Sequence, residues 1–140
     1  MNLLSLYDYV EEQGIDIDWF SMSRAKSLSM PLPNGGYGIA IDPWKMETVA
    51  EEKCCIAHEA GHCETGSFYN RYATCDLVAR HENRADKWAI RTLVPKDKLE
   101  KAVKDGYLNL WELSEQFGVT EDFMKKAVCL YKNGNLADVI

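Results

Sequence analysis

One segment limits the possible architectures of this chain more than any other: the run from Thr48 to Gly66, which reads as a single helix. Thr48 followed three residues later by Glu51 is a capping-box pattern, so the helix is expected to begin near Val49. Inside it lies CCIAHEAGHC, residues 54 to 63. A helix turns about 100° per residue, which sets His58 and His62 only about 40° apart and lets both imidazoles reach one ion. Glu59, one step round, cannot easily join the same ligand plane. It can reach a water on that ion, which is what a general base requires. The opposite face carries Val49, Ile56 and Ala60 as the apolar stripe that would bury the helix.

Two histidines leave such an ion short of a ligand, because a catalytic zinc usually takes three from the protein. The extended pattern H-E-x-x-H-x-x-G-x-x-H is excluded, since Thr65 and Phe68 stand where glycine and histidine would be needed. A second helical pattern runs from about Leu77 to Val94 and stops at Pro95. On it Val78, Glu82, Ala85, Asp86, Ala89 and Leu93 share one narrow stripe. A carboxylate facing a core is costly unless it is paired or bound to metal, so the stripe asks for a cation between the helices. Glu82 is the expected third ligand. Asp86, one turn on, is placed to accept the outer ring N–H of a ligand histidine. The competing arrangement rotates this helix so that both acids face water and bond Arg80 or Arg91. His81 points roughly 100° from the stripe and reads as solvent-facing or structural. Tyr69 and Tyr72 are candidates to stabilise a developing oxyanion, with plain packing or exposure as the alternative for each.

The rest of the chain supplies a scaffold. Leu3, Leu4, Tyr7 and Val10 recur at helical spacing before Gly14, which suits a helix end. The stretch SLSMPLPNGGYGIAID alternates Leu28, Met30 and Leu32, turns at Asn34-Gly35, and alternates again through Tyr37, Ile39 and Ile41, as a β-hairpin does. Pro31 and Pro33 lack ladder donors, which puts the first strand at an edge and makes YGIAID the better-formed one. A substrate strand could add beside YGIAID, or the hairpin could be purely structural. Lys96 to Lys132 reads as two or three short helices divided by Gly106 and Gly118 and closed by Asn133-Gly134. The whole is expected to be one α+β domain, residues 1–140, mainly helical, with about 1–95 as the catalytic part and 96–135 as a C-terminal helical part.

Net charge and cysteine usage narrow the function classes. At −6 overall, the chain lacks the basic excess that phosphate binding requires. ELSEQFGVTEDFMKKAV has a helix-turn-helix outline, yet acids equal lysines from Lys96 to Lys132, so an αα-hairpin packing role is favoured over DNA contact. Five cysteines, an odd number without C-x-x-C spacing, read as reduced, semi-buried small hydrophobes rather than a structural zinc site. MNLLSLYDYVEEQG has no basic region and long apolar run, and no stretch approaches a membrane span. A soluble, cytoplasmic protein is expected.

AHEAGH followed by ENRADKWAIRTLVP resembles the ImmA/IrrE family of metallopeptidases. Glu82, Ala85, Asp86, Trp88 and Ala89 fill the family's E-x-x-A-[ND]-x-[FW]-A pattern, Leu93, Val94 and Pro95 supply the L-[LIV]-P that follows it, and the similarity extends from GYGIAID to the C-terminal helices. The resemblance implies a zincin-like fold, His58, His62 and Glu82 as metal ligands, Glu59 as the catalytic acid, and one Zn2+ or another divalent ion per chain. It also implies an endopeptidase that cleaves a helix-turn-helix repressor of a phage or other mobile element. The alternative is a non-catalytic, metal-containing regulator that binds a repressor or, through its C-terminal helix pair, DNA.

Overall fold

Asn2 accepts the Ser5 N–H at 2.8 Å and so opens α1 (Leu3–Glu12) of the computed structural model, which describes residues 1–69 and 72–133. Leu6 and Val10 are its buried residues, whereas Leu4 is exposed. The buried face is thus rotated from the Leu3, Leu4, Tyr7, Val10 set, because residues four apart form the single stripe that packs on the next long helix. Gly14 takes φ 81° after the helix, as its position suggested. The chain then enters a strand for which the hairpin-centred reading made no allowance: β1 (Ile15–Trp19), with Ile15 and Ile17 buried and Asp16 and Asp18 exposed. Its alternation was visible but only five residues long.

β2 (Ser27–Pro31) and β3 (Tyr37–Ile41) are the expected antiparallel hairpin. β1 pairs in parallel with the far side of β3, giving the order β1-β3-β2. This corrects one expectation: YGIAID lies in the centre of the sheet, hydrogen-bonded on both sides, and has no edge to offer a substrate. The edge on this side belongs to β2. Leu32 donates to Gly36 and Lys26 accepts from Asp42 across the ladder, so the even-numbered residues between them bond inward and Ser27, Ser29 and Pro31 face outward. Pro31 therefore removes no ladder bond, which is why an edge tolerates it.

Buried Asp42 fixes the connection between β1 and β2 by accepting the Met22 and Trp44 N–H groups at 2.9 and 3.1 Å. Next comes α2 (Val49–Thr65), with Thr48 accepting the Glu51 N–H at 3.0 Å. Glu51 reaches back to Glu47 N–H, one residue beyond the usual capping box, and pairs with Lys26. Ile56 and Ala60 are fully buried, but Val49 is exposed, since burial begins only a turn later at Lys53. The Lys53 ammonium, itself buried, donates to the Phe117 carbonyl at 2.7 Å and ties α2 to the C-terminal helices.

α3 (Cys75–Leu93) packs along α2 and ends before Pro95, after which α4 (Lys96–Lys104), α5 (Leu110–Phe117) and α6 (Glu121–Asn133) follow. Gly106 and Gly118 take φ 103° and 63° at the two breaks; the proposed closing turn at Gly134 lies outside the described residues. Phe123, Met124 and Ala127 of α6 are buried against the core, and Tyr131 donates to the Val94 carbonyl at 2.7 Å. One face of α6 is therefore spent on the core, and α5 packs beside it. The fold is α+β, mainly helical, in one small domain. Among the described residues no helix is long and apolar enough to cross a membrane.

Candidate metal centre

The site is assembled where α2 and α3 touch. Gly61 marks the contact: a Cβ there would lie 2.4 Å from the Ala85 carbonyl oxygen and 2.9 Å from its Cα. Only glycine allows that approach. With the backbones so close, Glu82, one turn before Ala85, comes opposite the histidines of α2. His58 Nε2 lies 2.8 Å from one Glu82 oxygen, His62 Nε2 lies 3.4 Å from the other, and the two Nε2 atoms are 3.2 Å apart. The rotated arrangement, in which Glu82 and Asp86 bond arginines in water, is not what forms.

The far nitrogen of each imidazole is already engaged. His58 Nδ1 meets Asp86 Oδ1 at 2.7 Å, and His62 Nδ1 meets the carbonyl of buried Ser67 at 2.5 Å. Both acceptors call for hydrogen on Nδ1, so the neutral rings turn their Nε2 lone pairs toward Glu82. Ser67 reaches this position because Gly66, at φ 65°, closes α2 in a left-handed turn whose next N–H bonds the His62 carbonyl. Two lone pairs and a carboxylate aimed at one point form a donor set for a cation. One ligand atom from each residue lies within 4.8 Å of the others, and each Nε2 lies 2.8 to 3.4 Å from its nearer Glu82 oxygen and from the other Nε2, close to the roughly 3.3 Å between ligands at about 2.0–2.1 Å from a tetrahedral zinc. His58, His62 and Glu82 thus fit a metal ion.

The same acids favour a proton on the imidazoles. Burial works against charge on His58, but Asp86 and Glu82 outweigh it and raise the imidazole to about 10. Hydrogen bonds from His58 and His62 hold the Glu82 carboxyl far below its ordinary range. Tyr69 donates to Glu82 at 2.6 Å, and that bond pushes its hydroxyl up to about 12. It therefore keeps its proton at neutral pH and remains a donor.

Glu59 faces the other way, toward β2. Its two oxygens accept from Ser27 Oγ and Ser29 Oγ, each at 2.8 Å, and the residue is buried. Ser27, Ser29, Glu59, Glu82, Phe68 and Tyr69 are among the residues around a cleft of about 310 Å³ that both histidines also line. Of the two tyrosine candidates, Tyr69 is on this cleft and Tyr72 is not. His81 is half-buried, its ring stacked on Tyr69 at 6.0 Å, which matches the structural option for it. No cysteine joins the donor cluster among the described residues. Cys63 is buried, and burial lifts its thiol to about 12; Cys75, contrary to the semi-buried reading, is exposed at the start of α3.

Sequence reasoning missed Gly61, Ser67, Ser27 and Ser29. Gly61 stood within the motif, and Gly66 implied a tight turn onto Ser67, so both had a local signal. The serines had none beyond their period-2 spacing.

A small α+β domain with a histidine and glutamate cluster able to hold a metal ion is the class that fold and site define. The family described as IrrE N-terminal-like domain, peptidase family M78, matches residues 10–128, and this chain belongs to it. Membership places the chain among metallopeptidases, whose substrates are polypeptides. No curated protein and no solved structure matches the chain.

Proposed function

We propose that this chain is a zinc-dependent endopeptidase in which His58, His62 and Glu82 hold the ion and Glu59 is the general base. The observation that carries the reading is the convergence of three ligand atoms within 4.8 Å on a cleft that also holds a buried carboxylate outside the ligand set. Bound there, zinc would lower the pKa of a water toward about 7 and polarise the scissile carbonyl. Glu59 takes the proton of the attacking water and hands it to the leaving amine. Asp86 and the Ser67 carbonyl keep the two imidazoles in the tautomer that ligation needs. Tyr69, a donor at the cleft, is the candidate to stabilise the oxyanion.

The substrate enters as an extended strand along the outward edge of β2, where the Ser27 and Ser29 backbone groups are free of the ladder. A helix-turn-helix repressor encoded nearby is the proposed substrate, a choice that rests on the family resemblance. DNA contact through α6 is disfavoured, because Lys126 is turned to Asp86 at 3.4 Å and the helix's apolar face is spent on the core. The test is to incubate purified protein with that repressor and follow cleavage by mass spectrometry. About one zinc per chain is expected, and Glu59→Gln should keep the metal while losing cleavage by roughly a thousandfold. A Glu59→Gln protein that cuts as fast as wild type would falsify the mechanism.

A further inference from the structure

Glu59 sits in an uncommon setting for a group meant to accept a proton: buried, with a serine hydroxyl on each of its oxygens at 2.8 Å. The two serines are i and i+2 on β2, so both side chains leave the same face of the strand and descend on α2. Their backbone N–H and C=O groups point outward, to the open edge, as the ladder parity requires. Each serine thus meets the base with its side chain and the free edge with its backbone.

We infer, resting on the endopeptidase reading above, that Ser27 and Ser29 are positioning residues that hold the Glu59 carboxylate in one orientation and register it against a substrate strand on β2. A carboxylate offers about four lone-pair sites. Two are filled by the hydroxyls, which fixes the side-chain rotamer, and the rest stay open toward the cleft. Because the same two residues present the edge backbone, a peptide pairing with β2 is aligned to the base by at most a few bonds. Misplacement of a reacting group by about 1 Å can cost roughly a hundredfold in rate.

The experiment uses zinc-loaded, full-length protein and the neighbouring repressor as probe, comparing wild type, Ser27→Ala/Ser29→Ala, Ser27→Thr/Ser29→Thr, and the alanine pair in a Glu59→Gln background. The alanine pair should lower kcat by roughly ten- to a hundredfold with little change in KM or zinc content. The threonine pair, which keeps both hydroxyls, should recover most of that loss, and the alanine pair should add nothing once Glu59 is glutamine. Crystal structures of zinc-loaded wild type and the alanine pair give a second readout: one Glu59 rotamer in the first, a displaced or split carboxylate in the second. An alanine pair with wild-type kcat and an unmoved Glu59 would overturn the inference while leaving the endopeptidase reading intact. A zinc-loaded wild type that cannot cut the repressor would sink the reading on which it rests, and the crystallographic comparison would still show whether the serines hold the carboxylate.

Discussion

α2 serves two neighbours, and it does so on different physical terms. Toward α3 it presents His58 and His62, and the partners are charged: Glu82 between the Nε2 atoms and Asp86 behind His58. Toward β2 it presents Glu59, and the partners are neutral hydroxyls. The first side assembles groups that favour positive charge, whether from protons or from a metal ion. The second meets the carboxylate with two hydroxyls and orients it. A ligand cluster needs charge to hold its ion, whereas a base needs its carboxylate held in place for the proton it takes.

Replacing Glu82 by Ala tests the charged side most severely. Loss of one of three proposed ligands should cut zinc affinity by at least about a hundredfold, measured by competition with a chromophoric chelator. His81→Ala, on the same helix but stacked on Tyr69 outside the cluster, should change it several-fold at most. The reverse ranking would move the third ligand to His81.

The same contrast decides how much was legible in the sequence. Glu82 and Asp86 were readable because acids on an apolar helical stripe violate the expected pattern, and a violation asks for a cause. Ser27 and Ser29 violate nothing: polar residues alternating with Leu28 and Met30 are what any half-buried strand shows. Only the sheet's placement over α2 reveals that the polar face is the one turned to the site. The helices were legible for similar reasons, through the Thr48 cap, Gly118 and Pro95, all local signals. The central position of β3 was not, since it depends on the pairing with β1, which no local pattern specifies.

Gly61 probes what brings the charged side together. Gly61→Ala places a methyl 2.4 Å from the Ala85 carbonyl oxygen, so the helices must part. Overpacking of this kind costs about 1–3 kcal/mol, which denaturant unfolding would register as a lower midpoint at unchanged slope. Zinc affinity should fall by about tenfold as Glu82 recedes from the histidines, while the Ser27 and Ser29 bonds to Glu59, on the other face, persist. A variant that loses stability but keeps full zinc affinity would show that the ligand cluster tolerates helix separation, and would weaken the role given to Gly61.

Lys126 offers the finest distinction. Its ammonium lies 3.4 Å from Asp86 Oδ2 and is 45% exposed, while Asp86 Oδ1 holds His58 Nδ1. The two partners compete for one carboxylate: a lysine that draws Asp86 outward weakens its grip on the imidazole and, by adding positive charge beside the cluster, opposes a cation. Removing it by Lys126→Met should therefore raise zinc affinity, but only by about two- to fivefold, because a solvent-exposed pair contributes less than about 1 kcal/mol. The gain should shrink further in high salt, where the ammonium is already screened. A fall in affinity instead would mean that Lys126 steadies Asp86 against His58 rather than competing for it, making α6 a support of the charged side of α2.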